Sequence, residues 1–172
     1  MSFSLRAYLN PPCGRAMLGI ILLVIICDQL VKYVMLDIVG IAARPPIIVT
    51  EFFKLVMVWN HGISFGMLSM PETIMPYILM ALAVAICLLV WHLAGKSACA
   101  YERLAYSAII GGALGNVIDR ARFGAVADFF YFHIGTLGWP AFNIADASIF
   151  LGVMFLLWRA FFPSRAQHSP KA

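Results

Sequence analysis

Charge is scarce in this chain. Of 172 residues only 12% are charged, while 63% are hydrophobic. A soluble domain has about 25% charged and about 45–50% apolar residues. With a mean hydropathy of +0.91, a soluble globular domain is excluded and an integral membrane protein is expected, one compact bundle being the natural size. The basic residues are scattered and form no stripe interleaved with aromatics, so nucleic acid is not an expected partner. Cysteine is sparse and never at Cys-x-x-Cys spacing: Cys13, Cys27, Cys87 and Cys99. Cys27 and Cys87 fall inside apolar runs, where cysteine is most often a small buried hydrophobe. His61, His92, His133 and His168 stand alone, with no His-Glu-x-x-His, so no metal and no other cofactor is expected. There is no internal repeat.

What is abundant is long apolar sequence. A helical span needs roughly 20 mostly apolar residues. Segments 16–39, 76–93, 103–122 and 143–162 meet that need. Arg6 and Arg15 precede the first, but the apolar run continues through Asp28 and Lys32 without a small-residue cleavage site, so it reads as a retained span. With the N-terminus inside, the inner segments hold Arg6, Arg15, Lys96, Arg103, Arg159, Arg165 and Lys171. The outer ones hold only Arg44, Lys54, Arg120 and Arg122. Both termini cytoplasmic is therefore favoured.

The outer loops, 40–75 and 123–142, are not plain linkers. Ile47 to Asn60 is rich in β-branched and aromatic residues, which predicts short strands lying on the outer leaflet. Gly62 and Gly66 allow tight turns after it. The second loop carries Phe129, Phe130, Tyr131, Phe132 and Trp139 and reads as an interfacial flap. The polar tail 163–172 reads as disordered.

Few acids remain, and three of the eight lie between Gly111 and Asp146. A carboxylate beside lipid needs a partner or a task. Asp28 and Lys32 sit four apart on one helix face, either as a structural ion pair or in contact with a ligand's polar backbone. Gly111-x-x-x-Gly115 is a small-residue packing face. Asn116, Asp119 and Arg120 project from one side of the same span, as a polar cap or as part of a site. Asp128 lies among apolar residues, which raises a carboxyl pKa, unless Arg122 docks on it. Asn143 and Asp146 have the spacing of an N-cap and its N3 acid, a capping role compatible with facing a cavity. Asp128 and Asp146 belong to one membrane face. Two carboxylates brought close share a proton, and such a pair can activate water and polarise a carbonyl.

Five ordered blocks complete the pattern. They are Asp28-Gln29-Leu30-Val31-Lys32, Asn60-His61-Gly62-Ile63-Ser64-Phe65, Gly111 through Arg120, Val126-Ala127-Asp128-Phe129 and Phe142-Asn143-Ile144-Ala145-Asp146. Together they resemble the lipoprotein signal peptidase family, signal peptidase II. The resemblance implies an all-α membrane protein of four transmembrane helices with a small extracytoplasmic β-cradle from the first outer loop and a substrate-clamping helix in the second. It implies a bacterial inner-membrane aspartic endopeptidase that cleaves prolipoproteins before a diacylglyceryl-cysteine. Asp128 and Asp146 would be catalytic. Asp28, Lys32, Asn60, Gly62, Asn116, Arg120 and Asn143 would line the site. Ala127 stands where the family often has valine. The expected partners are diacylglyceryl-prolipoproteins and membrane lipid, with the chain a monomer. Two rival readings are a small proton-coupled transporter, which predicts acids spread through the bilayer depth, and a membrane assembly protein using its glycine face.

Overall fold

The computed structural model describes residues 12–62 and 74–162. The expectations for Gly66 and for the tail 163–172 lie outside those residues. Four long helices and four strands follow in the order α1 (Pro12–Tyr33), β1 (Ile47–Thr50), β2 (Phe53–Asn60), α2 (Met75–Lys96), α3 (Ala100–Phe123), β3 (Val126–Ile134), β4 (Leu137–Gly138) and α4 (Ile144–Phe161). A π-helical turn, Val34–Ile38, extends α1 toward the sheet.

Among the described residues, three helices are long and apolar enough to cross a membrane: Gly14–Ile38, Met75–Lys96 and Ile144–Phe161. Helix α3 has the length, with 24 residues, or about 36 Å at the usual rise per residue. It falls short in apolarity, and its environment gives the reason. It packs on α1, α2 and α4, and buries Ser107, Asn116 and Asp119 together with three glycines. Helix α2 is the opposite. It is almost entirely apolar, yet buries only Cys87 and Ala94 and leaves Leu82, Leu88 and Leu89 exposed. The least apolar helix is the interior one because its polar groups can be satisfied there, whereas an apolar side chain is tolerated against lipid. Of the cysteines in apolar runs, Cys87 is buried as expected, but Cys27 faces outward.

The glycines of α3 set its distance to its neighbours. A Cβ at Gly111 would meet Val24 Cβ at 2.8 Å and Ile21 O at 3.0 Å on α1. One at Gly112 would collide with the backbone carbonyl of Ala145 on α4. The small-residue face therefore admits two helix backbones at once.

Strand β1 pairs antiparallel with β2, β2 with β3, and β3 with β4, giving one four-stranded sheet in the order β1-β2-β3-β4. The strands expected between Ile47 and Asn60 are present. The helix that the resemblance implied for the second outer loop is not there: that loop forms β3 and β4 and completes the sheet. Its run of Phe129, Phe130, Tyr131 and Phe132 has the β-branched-and-aromatic character that suits a pleated, half-buried surface. Phe53 stacks on Phe132 at 4.6 Å between ring centres, across the β2–β3 pair. Beneath the sheet, Met35, Ile41, Ala127 and Phe129 form a small core that joins it to the end of α1.

Candidate active site

Asp128 enters the site by strand register. It lies opposite Val58 in the β2–β3 pair, and Val126 lies opposite Asn60. Asn60 therefore comes alongside Asp128 and donates from Nδ2 to Asp128 Oδ2 at 3.1 Å. Gly62, at a φ of 109°, fixes which way the amide faces. Its N–H donates to Asn60 Oδ1 at 3.0 Å, which leaves the NH2 for the carboxylate. A left-handed φ is what glycine adopts without strain.

Asp146 enters by helix capping. Asn143 caps α4 by accepting from Asp146 N at 2.9 Å, and Asp146 Oδ2 accepts from Asn143 N at 3.3 Å. This is the capping box expected from the spacing, and it leaves Asp146 free to face a cavity. The carbonyl of Phe142 accepts from Phe129 N at 3.1 Å and Phe130 N at 2.9 Å. That contact carries the start of α4 up to β3, next to Asp128 and four residues before Asp146.

Two asparagines then join the two acids. Asn143 Nδ2 lies 2.8 Å from Asp128 Oδ1, 3.2 Å from Asn116 Oδ1 and 3.3 Å from Ala127 O. Asn116 Nδ2 donates to Asp146 Oδ1 at 2.8 Å. The chain Asp128–Asn143–Asn116–Asp146 thus draws on three elements, and Asn143 and Asp128 are fully buried. Burial pushes the Asp128 carboxyl up to about 7, helped by the negative charge of Asp146. The hydrogen bonds from Asn60 and Asn143 and the charge of Lys32 pull the other way and are outweighed.

Arg120 approaches from α3. Its charge acts on Asp146, Asp128 and Asp119, and its Nη1 donates to Asn116 O at 3.5 Å. Asp28 and Lys32 form the ion pair expected of them, at 2.7 Å. Both are fully buried, one layer behind the acids. Arg122 does not dock on Asp128. It donates to Gln29 Oε1 at 3.2 Å and lies over the Phe123 ring at 4.7 Å. Sequence reasoning left Asp119 between two roles and did not single out Gln29. Both belong to the layer behind the acids, and Gln29 donates to Asp119 Oδ1 at 2.9 Å. Only its place one position after Asp28 could have drawn notice to it.

Two hollows open beside the acids. One of about 510 Å3 is lined by Phe132, Trp139, Phe142, Asp146, Phe150 and Leu151. Another of about 520 Å3 is lined by Trp59, Asn60, His61, Asp128, Tyr131 and Pro140. The first is almost wholly apolar and the second mixed. Among the described residues no three His, Cys, Asp or Glu side chains gather as metal ligands would.

The family model for signal peptidase (SPase) II matches residues 20–162. The chain belongs to the signal peptidase II family. Its relatives in that family include the lipoprotein signal peptidase of Azoarcus sp. (strain BH72), 45% identical over 84% of this chain and 81% of its own length. That of Methylocella silvestris is 38% identical over 83% of this chain and 84% of its own. Two solved structures of bacterial membrane enzymes, determined by the in meso method, share the fold. One aligns with a TM-score of 0.74 at 26% identity, covering 92% of this chain and 94% of the other. The second aligns with a TM-score of 0.73 at 28% identity, covering 87% and 95%. Signal peptidase II membership makes the protein a peptidase of the bacterial membrane. It lends nothing to the transport reading. All five sequence blocks lie inside the matched residues.

Proposed function

We propose that this protein removes the signal peptide from prolipoproteins by cleaving before a diacylglyceryl-cysteine, as an aspartic endopeptidase. The observation that carries the aspartic reading is the pair Asp128 and Asp146, held by one Asn143–Asn116 link beside two hollows. Asp128, whose carboxyl burial raises to about 7, carries the shared proton, and Asp146 serves as the base. Asp146 draws a proton from water as the water oxygen attacks the scissile carbonyl. Asp128 donates its proton to the carbonyl oxygen, stabilising the charge that grows there. On collapse Asp128 recovers its proton, and Asp146 passes its own to the departing cysteine amine. The products are a signal-peptide carboxylate and a free lipidated N-terminus. Arg120, Asn60 and the asparagine link position the peptide backbone and the pair, with Gly62 holding Asn60. No cofactor takes part.

The same reading makes 1–172 a single membrane domain and a monomer, with α3 as a fourth span in the bacterial inner membrane. Both termini are cytoplasmic, and the sheet and acids are at the outer face. Membrane lipid and the substrate's own acyl chains lie beside the bundle, each buried CH2 contributing about 0.8 kcal/mol.

The test is cleavage of a synthetic diacylglyceryl-cysteine lipobox peptide by purified protein in detergent with lipid, with EDTA throughout. Wild type should cleave, and Asp128→Asn and Asp146→Asn should not. Full activity in Asp146→Asn would end the two-carboxylate mechanism.

A further inference from the structure

Lys32 is paired twice. Its Nζ lies 2.7 Å from Asp28 Oδ2 and 2.6 Å from Asp119 Oδ2, and none of the three side chains is more than 1% exposed. Each carboxylate also accepts from Gln29 Nε2, Asp28 Oδ2 at 3.2 Å and Asp119 Oδ1 at 2.9 Å, and from one backbone N–H. Asp28 Oδ1 accepts from the backbone N–H of Ala145 at 3.0 Å. Asp119 Oδ2 accepts from the backbone N–H of Ala127 at 3.2 Å. Ala145 immediately precedes Asp146, and Ala127 immediately precedes Asp128. One cation therefore ties, through two carboxylates, the backbone just ahead of each acid of the pair. Gly115 leaves room for the arrangement, since a Cβ there would lie 2.8 Å from Asp28 Oδ2.

We infer that Lys32, Asp28 and Asp119 are a positioning triad that sets the separation of Asp128 and Asp146, and do not themselves touch substrate. This rests on the two-carboxylate reading above. Phe142 O already ties the start of α4 to β3, and the asparagine link joins the two side chains; the triad adds a tie at the backbone immediately before each acid. A buried ion pair is a strict tie, because an alternative geometry leaves a charge unpaired in a dry site. One net negative charge remains on the triad, offset by the two backbone N–H donors and by Gln29 Nε2. Reaction rate is steep in such spacing: a displacement of about 1 Å can lower it about 100-fold.

The test measures kcat, KM and the pH profile of kcat for Lys32→Met, Asp119→Asn and Gly115→Ala in the full chain. The assay is the lipobox-peptide cleavage, with wild type and Asp146→Asn alongside and thermal unfolding recorded for each. Lys32→Met and Asp119→Asn should lower kcat by about 100-fold while KM stays within about threefold. Gly115→Ala keeps every charge and presses on Asp28 at 2.8 Å, meeting Ala145 Cβ only at the ordinary contact distance of 3.4 Å. It should lower kcat about tenfold and change the spacing of the two limbs of the pH profile, because the repulsion between the carboxylates depends on their separation. Gly115→Ala decides the matter alone if Lys32→Met does not fold. Wild-type kcat and pH profile in the folded variants would overturn the triad's role, as would a loss matching only the unfolded fraction. A wild type that fails to cleave would instead sink the peptidase mechanism, and an active Asp146→Asn the carboxylate pair.

Discussion

At the start of α3, Glu102 meets Arg159 of α4 at 3.3 Å, with 26% and 16% of the two side chains exposed. At its other end Asp119 meets Lys32 at 2.6 Å with no more than 1% of either exposed. The same helix thus carries an ion pair at each end, and the two ought to behave differently. The first has a solvent-side escape, and exposed pairs contribute about 0–1 kcal/mol. The second has none, and removing one partner of a buried pair costs about 3–5 kcal/mol. The comparison teaches that in this bundle the charges that matter gather where the sheet closes over the helices. At the opposite end the pair is partly exposed, and Glu102 also accepts from Ser97 Oγ at 2.6 Å.

Breaking the buried end should have the largest effect. Lys32→Ala leaves Asp28 and Asp119 unpaired in a dry layer and should destabilise the fold by about 3–5 kcal/mol, read from thermal unfolding in detergent. Asn143→Ala comes next. It removes the α4 cap, worth about 1 kcal/mol, and strips a hydrogen bond from Asp128 and from Asn116. A further loss of about 1–3 kcal/mol should follow from the buried groups left unpaired, with cleavage falling by at least about 100-fold.

Asp128→Asn sharpens the contrast by acting in the other direction. In the folded protein the Asp128 carboxyl is raised from 3.8 to about 7. Between those values the native state holds a proton that the unfolded chain has released. Stability contributed by the neutral carboxyl is therefore greatest near pH 4 and declines until the pH passes about 7. Asp128→Asn, which cannot ionise, should show little stabilisation near pH 4. Its advantage over wild type should grow to a few degrees in Tm by pH 8. The wild-type rate should fall as pH rises through about 7, as the proton on Asp128 is lost. The smallest effect belongs to the partly exposed end. Glu102→Gln should change stability by less than about 1 kcal/mol and leave cleavage unaltered; a loss as large as that of Lys32→Ala would erase the difference between the two ends.

Much of this was legible in the sequence because it depends on local spacing. Asn143 and Asp146 are three apart, so the capping box could be read directly. Asp28 and Lys32 are four apart on one helix, so their pairing could be read as well. The run from Ile47 to Asn60 announced strands. Asp119 shows where such reading stops. Its partner, Lys32, is 87 positions away (119 minus 32), and nothing in the neighbourhood of either residue points to the other. Arg122 fails for the same reason: it lies six residues before Asp128, but the end of α3 turns its side chain to Gln29 and Phe123 instead.

By itself the sequence determined that this is a membrane chain, because its apolar content far exceeds what water tolerates on a surface. It also singled out Asp128 and Asp146 as the candidate pair, since a carboxylate beside lipid without a local counter-charge needs a partner or a task. Only the tertiary structure decided that the second loop is a strand joined to the first loop's sheet, and that α3 is the inner helix. It alone brought one lysine under the backbone of both acids. Those outcomes depend on which distant segments exclude water together, and no local pattern encodes that.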